Sequence, residues 1–354
     1  MNMFRLAALL SVLASASPLL NANVLAKRLK RLDRNQDGKL SREEAPSSFR
    51  KFKFDQADRN KDGFLDQQEL IRVSEKLEVK KQAKPTKVAK PVTLKAKSMK
   101  VIKDIIYRKD DKAIKGQNKL DLYFPSGKKA FPVLFWIHGG GLHSGDKSKI
   151  SGVASRFVAE GIGVVSTNYR LYPEARYPTQ IEDVSAAFAW TYNNTAKHGG
   201  DPKKLFVAGG SAGGHLTALL ALNETFLKKH ELTTSNILGA IPISGLMDVK
   251  QVGAARRKAV WGEENSTLQL ASPLHHARKD APSMLLLHAE HDTPDRRQQN
   301  KAMFTALKKA GHPDVSIHEL KDRTHNNIRS NLTRQNDTGA KYILKFISRL
   351  SKCD

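Results

Sequence analysis

One short stretch, VAGGSAGGHL at positions 207–216, constrains the fold more than any other part of the chain. It follows the apolar run 205–207 and continues into residues 212–222, whose apolar side chains recur at helical spacing. Residues 209–213 therefore read G-x-S-x-G between a predicted strand and a predicted helix, a setting in which a sharp turn lifts a serine hydroxyl clear of the sheet. Glycines flank the serine because larger side chains would collide there. The pattern predicts that Ser211 is a nucleophile.

A second glycine-rich segment lies upstream, at the end of another apolar run. Residues 132–138 predict a buried strand, and His138 is followed by Gly139, Gly140 and Gly141. Glycines allow the main chain to approach a substrate oxygen, and backbone N–H groups then stabilise a developing oxyanion. With both motifs at strand ends, a glycine-rich turn without chemistry is the weaker alternative. We expect His138 to brace this loop rather than to react.

Short apolar runs alternate with helical stretches over the C-terminal two thirds of the chain. This alternation predicts an α/β fold with a mostly parallel eight-stranded sheet flanked by helices. The strands are predicted at Val101–Tyr107, Leu120–Phe124, Pro132–His138, Gly163–Ser166, Leu205–Val207, Ile241–Ile243, Met284–Leu287 and Val315–Ile317, and the main helices at Ile181–Asn193, Ala212–Leu222, Arg296–Ala310 and Ala340–Leu350.

The two glycine motifs, with the segment between them, resemble α/β-hydrolases of the carboxylesterase type. That segment contains Asn168-Tyr169-Arg170-Leu171, PEARYP at 173–178 and Ile181-Glu182-Asp183. The chain from about Met99 onward is most similar to acetyl- and feruloyl-esterase-like enzymes that act on plant or algal polysaccharides. The resemblance implies the α/β-hydrolase fold, and it implies Gly140, Gly141 and the N–H of Ala212 as the oxyanion hole.

The chain order of this fold, serine then acid then histidine, predicts the partners of Ser211. Asp292 follows the strand 284–287, where the family places its acid, and His325 lies in the loop after the last strand. His325 is expected to take the serine proton while Asp292 orients the imidazole, so that catalysis needs no cofactor. The alternative acids are Glu290, Asp295 and Asp248, whereas His318, His215, His275 and His276 are expected to be packing or loop residues.

Two acidic twelve-residue loops near the N-terminus resemble an EF-hand pair. Each has side-chain oxygens at alternate positions, glycine at the sixth and glutamate at the twelfth, which is the pattern of a calcium loop rather than a merely acidic one. Leu40 and Leu65 are expected to pair across a short β-bridge. Only residues 45–57 separate the loops, so we expect shortened helices and structural rather than sensor Ca²⁺ sites. The predicted ligands are Asp33, Asn35, Asp37, Lys39 through its carbonyl, Ser41 and Glu44 in one loop, and Asp58, Asn60, Asp62, Phe64 through its carbonyl, Asp66 and Glu69 in the other.

The chain is strongly basic, with a formal net charge of +25, and its lysines concentrate between Val79 and Lys103. Like charges spaced by prolines repel one another, so this stretch is predicted to be an extended linker. A contact with an anionic polysaccharide is the alternative for the linker. Zinc-finger, RNP and helix-turn-helix patterns are absent from the sequence, so we expect no specific nucleic-acid partner.

The first residues have the form of a secretory signal. A short positive start precedes the apolar stretch 6–16, which is too short to span a bilayer and ends in Ala14-Ser15-Ala16. The chain is therefore predicted to be secreted or periplasmic, without a transmembrane segment; an uncleaved amphipathic start or membrane anchor is the alternative. The single cysteine, Cys353, excludes an intrachain disulfide.

Four segments follow from these features: a signal peptide at 1–22, an EF-hand pair at 23–78, a lysine-rich linker at 79–99 and an α/β-hydrolase domain at 100–354. The predicted function is hydrolysis of short acyl esters, acetyl or feruloyl-like, on carbohydrates. An arylformamidase-like amidase and a small lipase are alternatives with the same fold. A calcium-dependent adhesion protein on an inactive hydrolase scaffold is an alternative of another class.

Overall fold

The computed structural model describes residues 33, 35, 37, 39–45, 54–58, 62–66, 69, 99–109 and 116–352. The predicted signal peptide, Asn60, Cys353 and nearly all of the lysine-rich linker lie outside these residues. The chain divides into two compact units, Met1–Lys87 and Val88–Asp354. The boundary between the units falls within the lysine-rich stretch.

The smaller unit contains the two acidic loops. Strand β1 (Leu40–Ser41) pairs antiparallel with β2 (Phe64–Leu65), and Leu40 lies opposite Leu65, which confirms the predicted bridge. Helix α1 (Phe54–Ala57) precedes the second loop. Leu40, Leu65 and the α1 residue Phe54 are buried, so a small apolar core holds the loop pair together.

A sheet of eight strands forms the centre of the larger unit. The strands are β3 (Met99–Ile106), β4 (Lys119–Pro125), β5 (Phe131–Ile137), β6 (Gly163–Thr167), β7 (Gly200–Gly210), β8 (Gly239–Ile243), β9 (Ser283–His291) and β10 (Val315–Thr324). Their order in the sheet is β10-β9-β8-β7-β5-β6-β4-β3, and β4 runs opposite to the other seven. The predicted mostly parallel α/β-hydrolase fold is therefore confirmed.

Helices cover both faces of this sheet, because its central strands are apolar on both sides. Along β5, Val133 and Phe135 belong to one buried cluster, whereas Leu134 and Trp136 belong to the other. Among the described residues, no helix is apolar over a length that could span a membrane. The helices of this unit are α2 (Ser151–Ala159), α3 (Thr179–Asn194), α4 (Ala212–Leu222), α5 (Thr225–Lys228), α6 (Ala254–Val260), α7 (Asn265–Leu270), α8 (Pro294–Lys309), α9 (Ile328–Asn331) and α10 (Thr338–Leu350).

Several strands are longer than their apolar runs predict. Strand β10 continues to Thr324, beyond the predicted end at Ile317. It is an edge strand, so polar side chains can extend it without being buried on both faces. Strand β7 begins at Gly200, which pairs with Phe131 across a register shift before the apolar part of the strand.

Candidate active site

Ser211 occupies a sharp turn between the end of β7 and the start of α4. Its φ of +58° and ψ of −117° lie where few residues other than glycine are found, and such strain is typical of functional sites. A Cβ at Gly209 would lie 2.6 Å from the backbone of Gly213, and one at Gly213 would collide with the carbonyl of Ile137. The turn is further fixed by the Ser211 N–H, which donates to the Ile243 carbonyl at 2.8 Å. Glycines thus allow the crowded turn that presents the hydroxyl.

The structure brings together the three residues predicted from chain order. His325 Nε2 lies 2.8 Å from Ser211 Oγ, and His325 Nδ1 lies 2.9 Å from Asp292 Oδ1. The Asp292 side chain is 1% exposed, whereas that of His325 is 30% exposed. The arrangement can pass the serine proton to the imidazole and stabilise the imidazolium that forms.

The environment of Asp292 keeps its carboxyl group ionised. Burial acts to raise its pKa, but hydrogen bonding, above all with His325, outweighs burial and holds the pKa below its usual value. The N–H of Thr293 also donates to Asp292 Oδ1, at 3.0 Å. A charged, oriented carboxylate is what the imidazole requires.

The alternative acids have other partners. Glu290 accepts a hydrogen bond from the N–H of Asp322 at 3.0 Å and pairs with Lys321 Nζ at 2.9 Å. Asp248 accepts from the backbone N–H of Lys250 at 3.0 Å, as the cap of a short 3₁₀ turn. Asp295 lies in the first turn of α8. Of the four acids, only Asp292 is hydrogen-bonded to His325 in the described structure.

The alternative histidines are also accounted for by packing. His318 stacks on Tyr342 with ring centroids 3.8 Å apart. His215 is buried in α4, and its Nδ1 lies 3.0 Å from the carbonyl of Leu246. His276 Nε2 lies 2.9 Å from the Leu270 carbonyl.

The glycine loop after β5 lies against the serine turn. A Cβ at Gly139 would approach Ser211 Cβ at 3.4 Å. Gly140 and Gly141 have φ of +119° and +70°, and the Gly140 carbonyl is held by the N–H of Ser144 at 3.1 Å. Among the described residues, no acceptor is recorded for the N–H of Gly140 or Gly141. These N–H groups, with that of Ala212 at the first position of α4, can therefore serve an oxyanion.

His138 supports the glycine loop by packing against Tyr169. Its ring stacks on Tyr169 at 4.3 Å, and Tyr169 Oη donates to the His138 carbonyl at 2.9 Å. Burial lowers the pKa of His138 to about 4, so the ring is neutral at neutral pH. A neutral, buried and stacked ring fits the bracing position expected from the sequence and not that of a general base.

The segment between the two glycine motifs holds Tyr169 in place. Asp183, fully buried in α3, accepts hydrogen bonds from the Arg170 backbone N–H at 2.9 Å and from its guanidinium at 2.7 and 2.8 Å. Arg108 also pairs with Asp183. Burial makes such paired charges costly to break, so the network fixes the chain beside Tyr169. Sequence reasoning identified this segment by resemblance but not its supporting role.

A cavity of about 350 Å³ opens beside Ser211 and His325. Its lining includes the glycine loop, two isoleucines and the charged residues Asp146, Lys149 and Arg329. On the glycine loop, the Gly141 carbonyl accepts a hydrogen bond from Arg256 Nη2 at 3.0 Å. Sequence reasoning missed these basic residues because nothing distinguishes them from the other lysines and arginines, 60 in all.

The acidic loops of the smaller unit place many of the predicted calcium ligands close together. In the first loop, Asp33 Oδ1 accepts from the N–H of Asp37 at 3.2 Å, and Glu44 Oε2 accepts from Ser41 Oγ at 2.7 Å. In the second loop, Asp58 Oδ2 accepts from the N–H of Gly63 at 3.0 Å. The remaining described ligands are Asn35, Asp37, Lys39, Asp62, Phe64, Asp66 and Glu69, while Asn60 lies outside the described residues.

The surroundings of Asp58 Oδ1 show whether the second loop suits a cation. Asp58 is 8% exposed, and its Oδ1 is buried without a hydrogen-bond partner among the described residues. Glu69 of the same loop is buried as well. Buried carboxylates are costly unless paired or bound to a metal, and oxygen donors suit Ca²⁺. The donor set of this loop therefore fits a calcium ion.

Comparison with known proteins extends these observations. The BD-FAE family matches residues 120–307, and the EF-hand family matches residues 25–44 and 53–74. Esterase LipQ of Mycobacterium tuberculosis is 31% identical over 228 residues, covering 59% of this chain and 54% of LipQ. The probable carboxylic ester hydrolase LipM of the same organism is 31% identical over 210 residues, covering 55% of this chain and 49% of LipM. The chain thus spans about half the length of these curated relatives.

A solved structure shares the fold. The truncated form of a carbohydrate esterase from gut microbiota has a TM-score of 0.64 at 21% identity, covering 74% of this chain and 99% of that one. At this identity the likeness shows the fold alone. Because the BD-FAE match spans more than half of the chain, and because the sheet and the serine turn agree with it, this protein belongs to the BD-FAE family of α/β-hydrolase esterases.

Proposed function

We propose that this protein is a carboxylic ester hydrolase in which Ser211 is the nucleophile, His325 the general base and Asp292 the orienting acid. The observation that carries the proposal is the hydrogen-bonded chain from Ser211 Oγ through His325 to a buried Asp292, with contacts of 2.8 and 2.9 Å. An inactive scaffold has no physical reason to keep this chain on a strained turn. The named esterase relatives LipQ and LipM support the same activity.

The reaction proceeds in two halves. Ser211 Oγ attacks the acyl carbon while His325 takes the hydroxyl proton, and the resulting oxyanion accepts hydrogen bonds from the N–H groups of Gly140, Gly141 and Ala212. The intermediate collapses, the bond to the alcohol breaks, and His325 returns its proton to the departing oxygen. Water, deprotonated by His325, then attacks the acyl-enzyme, releasing the carboxylic acid and restoring Ser211. Loss of one oxyanion donor typically raises the barrier by about 2.7–4 kcal/mol.

The proposed substrates are short acyl esters, acetyl or feruloyl-like, on carbohydrates. The cavity beside Ser211 is lined by polar and charged groups as well as two isoleucines, which suits a hydroxylated alcohol better than a fatty chain. The carbohydrate esterase with the same fold is in line with this choice.

We also propose a calcium-binding N-terminal module that takes no part in the chemistry. Its EF-hand match, its carboxylate loops and the buried Asp58 oxygen support this role. The signal-like residues 1–16 support secretion or export to the periplasm. The segment boundaries at 22, 78 and 99 are proposed on the same sequence features.

Hydrolysis of 4-nitrophenyl acetate by the full chain and by Ser211→Ala tests the proposal. We expect kcat to fall by more than about 10⁴-fold, since the other groups alone support little catalysis, while the melting temperature stays within about 2 °C. Ser266→Ala, on an exposed position of α7, is the matched control. A panel including 4-nitroacetanilide separates an amidase from an esterase. Wild-type turnover by Ser211→Ala would show that the nucleophile is wrong.

A further inference from the structure

The cavity beside Ser211 contains charged side chains that ester hydrolysis itself does not require. Ile150 and Ile328 are both buried and form its apolar part. Lys149 and Arg329 line the same cavity. The reacting groups Ser211 and His325 need only an acyl ester, so these two cations point to a further recognised group on the substrate.

Both cations are placed where a ligand can reach them. Lys149 is exposed, and Arg329 is partly exposed. Arg329 Nη1 donates to the Lys149 carbonyl at 2.7 Å, which fixes the guanidinium at this site and leaves its other N–H groups for a ligand. Among the described residues, neither cation has a carboxylate within ion-pair distance.

The one acid of the lining does not neutralise the pair. Asp146 accepts from the N–H of Ser148 at 2.8 Å and from Asn168 Nδ2 at 3.0 Å, so its oxygens serve the loop. Burial acts against the charged form, but these hydrogen bonds outweigh it and lower the pKa of Asp146 to about 2, so it counts as one fixed negative charge. Two cations against one anion leave the cavity positive. Arg256, bonded to the Gly141 carbonyl, adds positive charge at the glycine loop.

The cavity adjoins His325, from which the departing alcohol must take its proton. His325, which lines it, has to protonate the departing oxygen, so the alcohol is adjacent to this imidazole in the transition state. A group carried on the alcohol can then reach Arg329, four residues after His325 at the start of α9. Guanidinium binds a carboxylate or sulfate with two parallel hydrogen bonds, and an ammonium adds a second charge.

Resting on the esterase activity proposed above, we propose that the cavity formed with Lys149 and Arg329 binds an anionic group on the alcohol, so that the preferred substrate is an acyl ester of a negatively charged sugar. The sugar ring lies against the isoleucines, and its carboxylate or sulfate is held by the two cations. Bound in this way, the sugar directs its ester oxygen towards His325.

The test compares acetylated oligosaccharides that differ in charge. The substrates are acetylated galacturonate, sulfated galactose and neutral xylose oligomers of equal length, each assayed with the wild type, Lys149→Gln, Arg329→Gln and Arg329→Lys. We expect kcat/KM of the wild type to be at least about 10-fold higher for one acidic substrate, through a lower KM. Both glutamine variants should lose at least about 10-fold more kcat/KM on the acidic substrate than on the neutral one. Arg329→Lys should retain part of the preference, and 0.5 M NaCl should weaken it. Lys341→Gln, on the exposed face of α10, is the control.

The outcomes separate this inference from the proposed function. If 4-nitrophenyl acetate is hydrolysed but neutral and acidic sugars are used equally, the anionic site is wrong and the esterase stands. Equal losses on all substrates in the glutamine variants would also contradict the site, because they would indicate a structural role. Calorimetry with Ser211→Ala and unacetylated galacturonate or sulfated galactose trimers measures binding without chemistry. If one acidic trimer binds, and if Arg329→Gln abolishes that binding, the anionic site is supported even when no acetate is hydrolysed. If neither acidic trimer binds, the anionic site is wrong.

Discussion

At the scale of single residues, the role of Asp292 can be separated from its contribution to packing. Asparagine has nearly the same shape, but its amide would donate to His325 Nδ1 and hold the imidazole in the tautomer that cannot accept the serine proton. We predict that Asp292→Asn lowers kcat for 4-nitrophenyl acetate by about 10⁴-fold with little change in the melting temperature. Steady-state kinetics and a thermal melt on the same preparation measure both effects.

Glu290 offers the matched comparison for that substitution. It lies two residues before Asp292 and pairs with Lys321 at the surface. Glu290→Gln should therefore keep kcat within about 2-fold, since exposed ion pairs contribute little. If Glu290→Gln were the inactive variant and Asp292→Asn the active one, the assignment of the acid would be reversed.

The proposed catalytic residues could be identified from the sequence where a local motif or the chain order carries the information. Ser211, Gly140 and Gly141 belong to short motifs, and a Cβ at Gly140 would collide with the Ser144 carbonyl. Asp292 and His325 follow from chain order once the fold is known, although the structure was needed to exclude Glu290. Arg329 could not be predicted, because its contact with Lys149 joins residues 180 positions apart and depends on how the whole sheet is assembled.

At the scale of elements, two buried histidines link the site to pH. His138 directly follows β5 and His215 lies within α4, and burial lowers the pKa of each from 6.5 to about 4. In the unfolded chain both groups titrate near 6.5. Between about pH 6.5 and pH 4 the unfolded state therefore binds more protons than the folded state. The free energy of unfolding consequently falls as the pH falls through this range.

We predict that the free energy of unfolding of the hydrolase unit drops by several kcal/mol between pH 7.5 and pH 4.5. Each histidine contributes on the order of 3 kcal/mol over its full range, at about 1.4 kcal/mol for each unit of pKa shift. Urea unfolding followed by tryptophan fluorescence measures this unit, because all three tryptophans lie in it. His215→Asn should reduce the pH dependence. An equal free energy of unfolding at the two pH values would contradict the view that His138 and His215 are buried in the neutral form.

The hydrophobic pattern predicted where helices and strands lie better than it predicted where they end. The helix at 212–222 is found at its predicted bounds, and all of its residues are buried. Strand β10 was underestimated because its polar continuation lies at the edge of the sheet. Apolar periodicity reports burial, and it fails where hydrogen bonding alone continues a strand.

At the scale of the whole molecule, the EF-hand loops and the proposed catalytic residues belong to separate units of the chain. The predicted ligands lie between Asp33 and Glu69, and the triad lies within Val88–Asp354. We predict that Ca²⁺ raises the melting temperature of the smaller unit by several degrees at saturation. Glu44→Gln combined with Glu69→Gln should abolish that shift in calorimetry with and without EGTA.

Ester hydrolysis by the same samples shows whether removal of calcium affects activity. EGTA should leave kcat/KM for 4-nitrophenyl acetate within about 2-fold, because no predicted ligand belongs to the catalytic unit. Loss of activity in parallel with loss of calcium would contradict a purely structural ion.

The proposed acyl specificity rests on the segment between β8 and β9. Between β8 and β9, the chain forms two short helices of seven and six residues, α6 and α7, and each has one buried residue, Val260 and Leu268. Trp261, after α6, packs edge-on against His215 with ring centroids 5.9 Å apart, so its apolar surface serves the core. A long acyl chain needs an apolar channel to gain about 0.8 kcal/mol per buried methylene. Val260, Leu268 and Trp261 are buried, so their side chains are not available to line such a channel.

We therefore predict that kcat/KM falls steadily along a series of 4-nitrophenyl esters from acetate to octanoate, by about 10-fold or more over the series. The leaving group is the same in every member, so the trend reports the acyl side alone. Each added methylene that finds no apolar wall must remain in water or displace water from polar groups, and neither gains binding energy in the transition state. A rise in kcat/KM towards octanoate would instead mean that an apolar channel for the acyl chain exists, and it would favour a small lipase over the short-chain esterase proposed here.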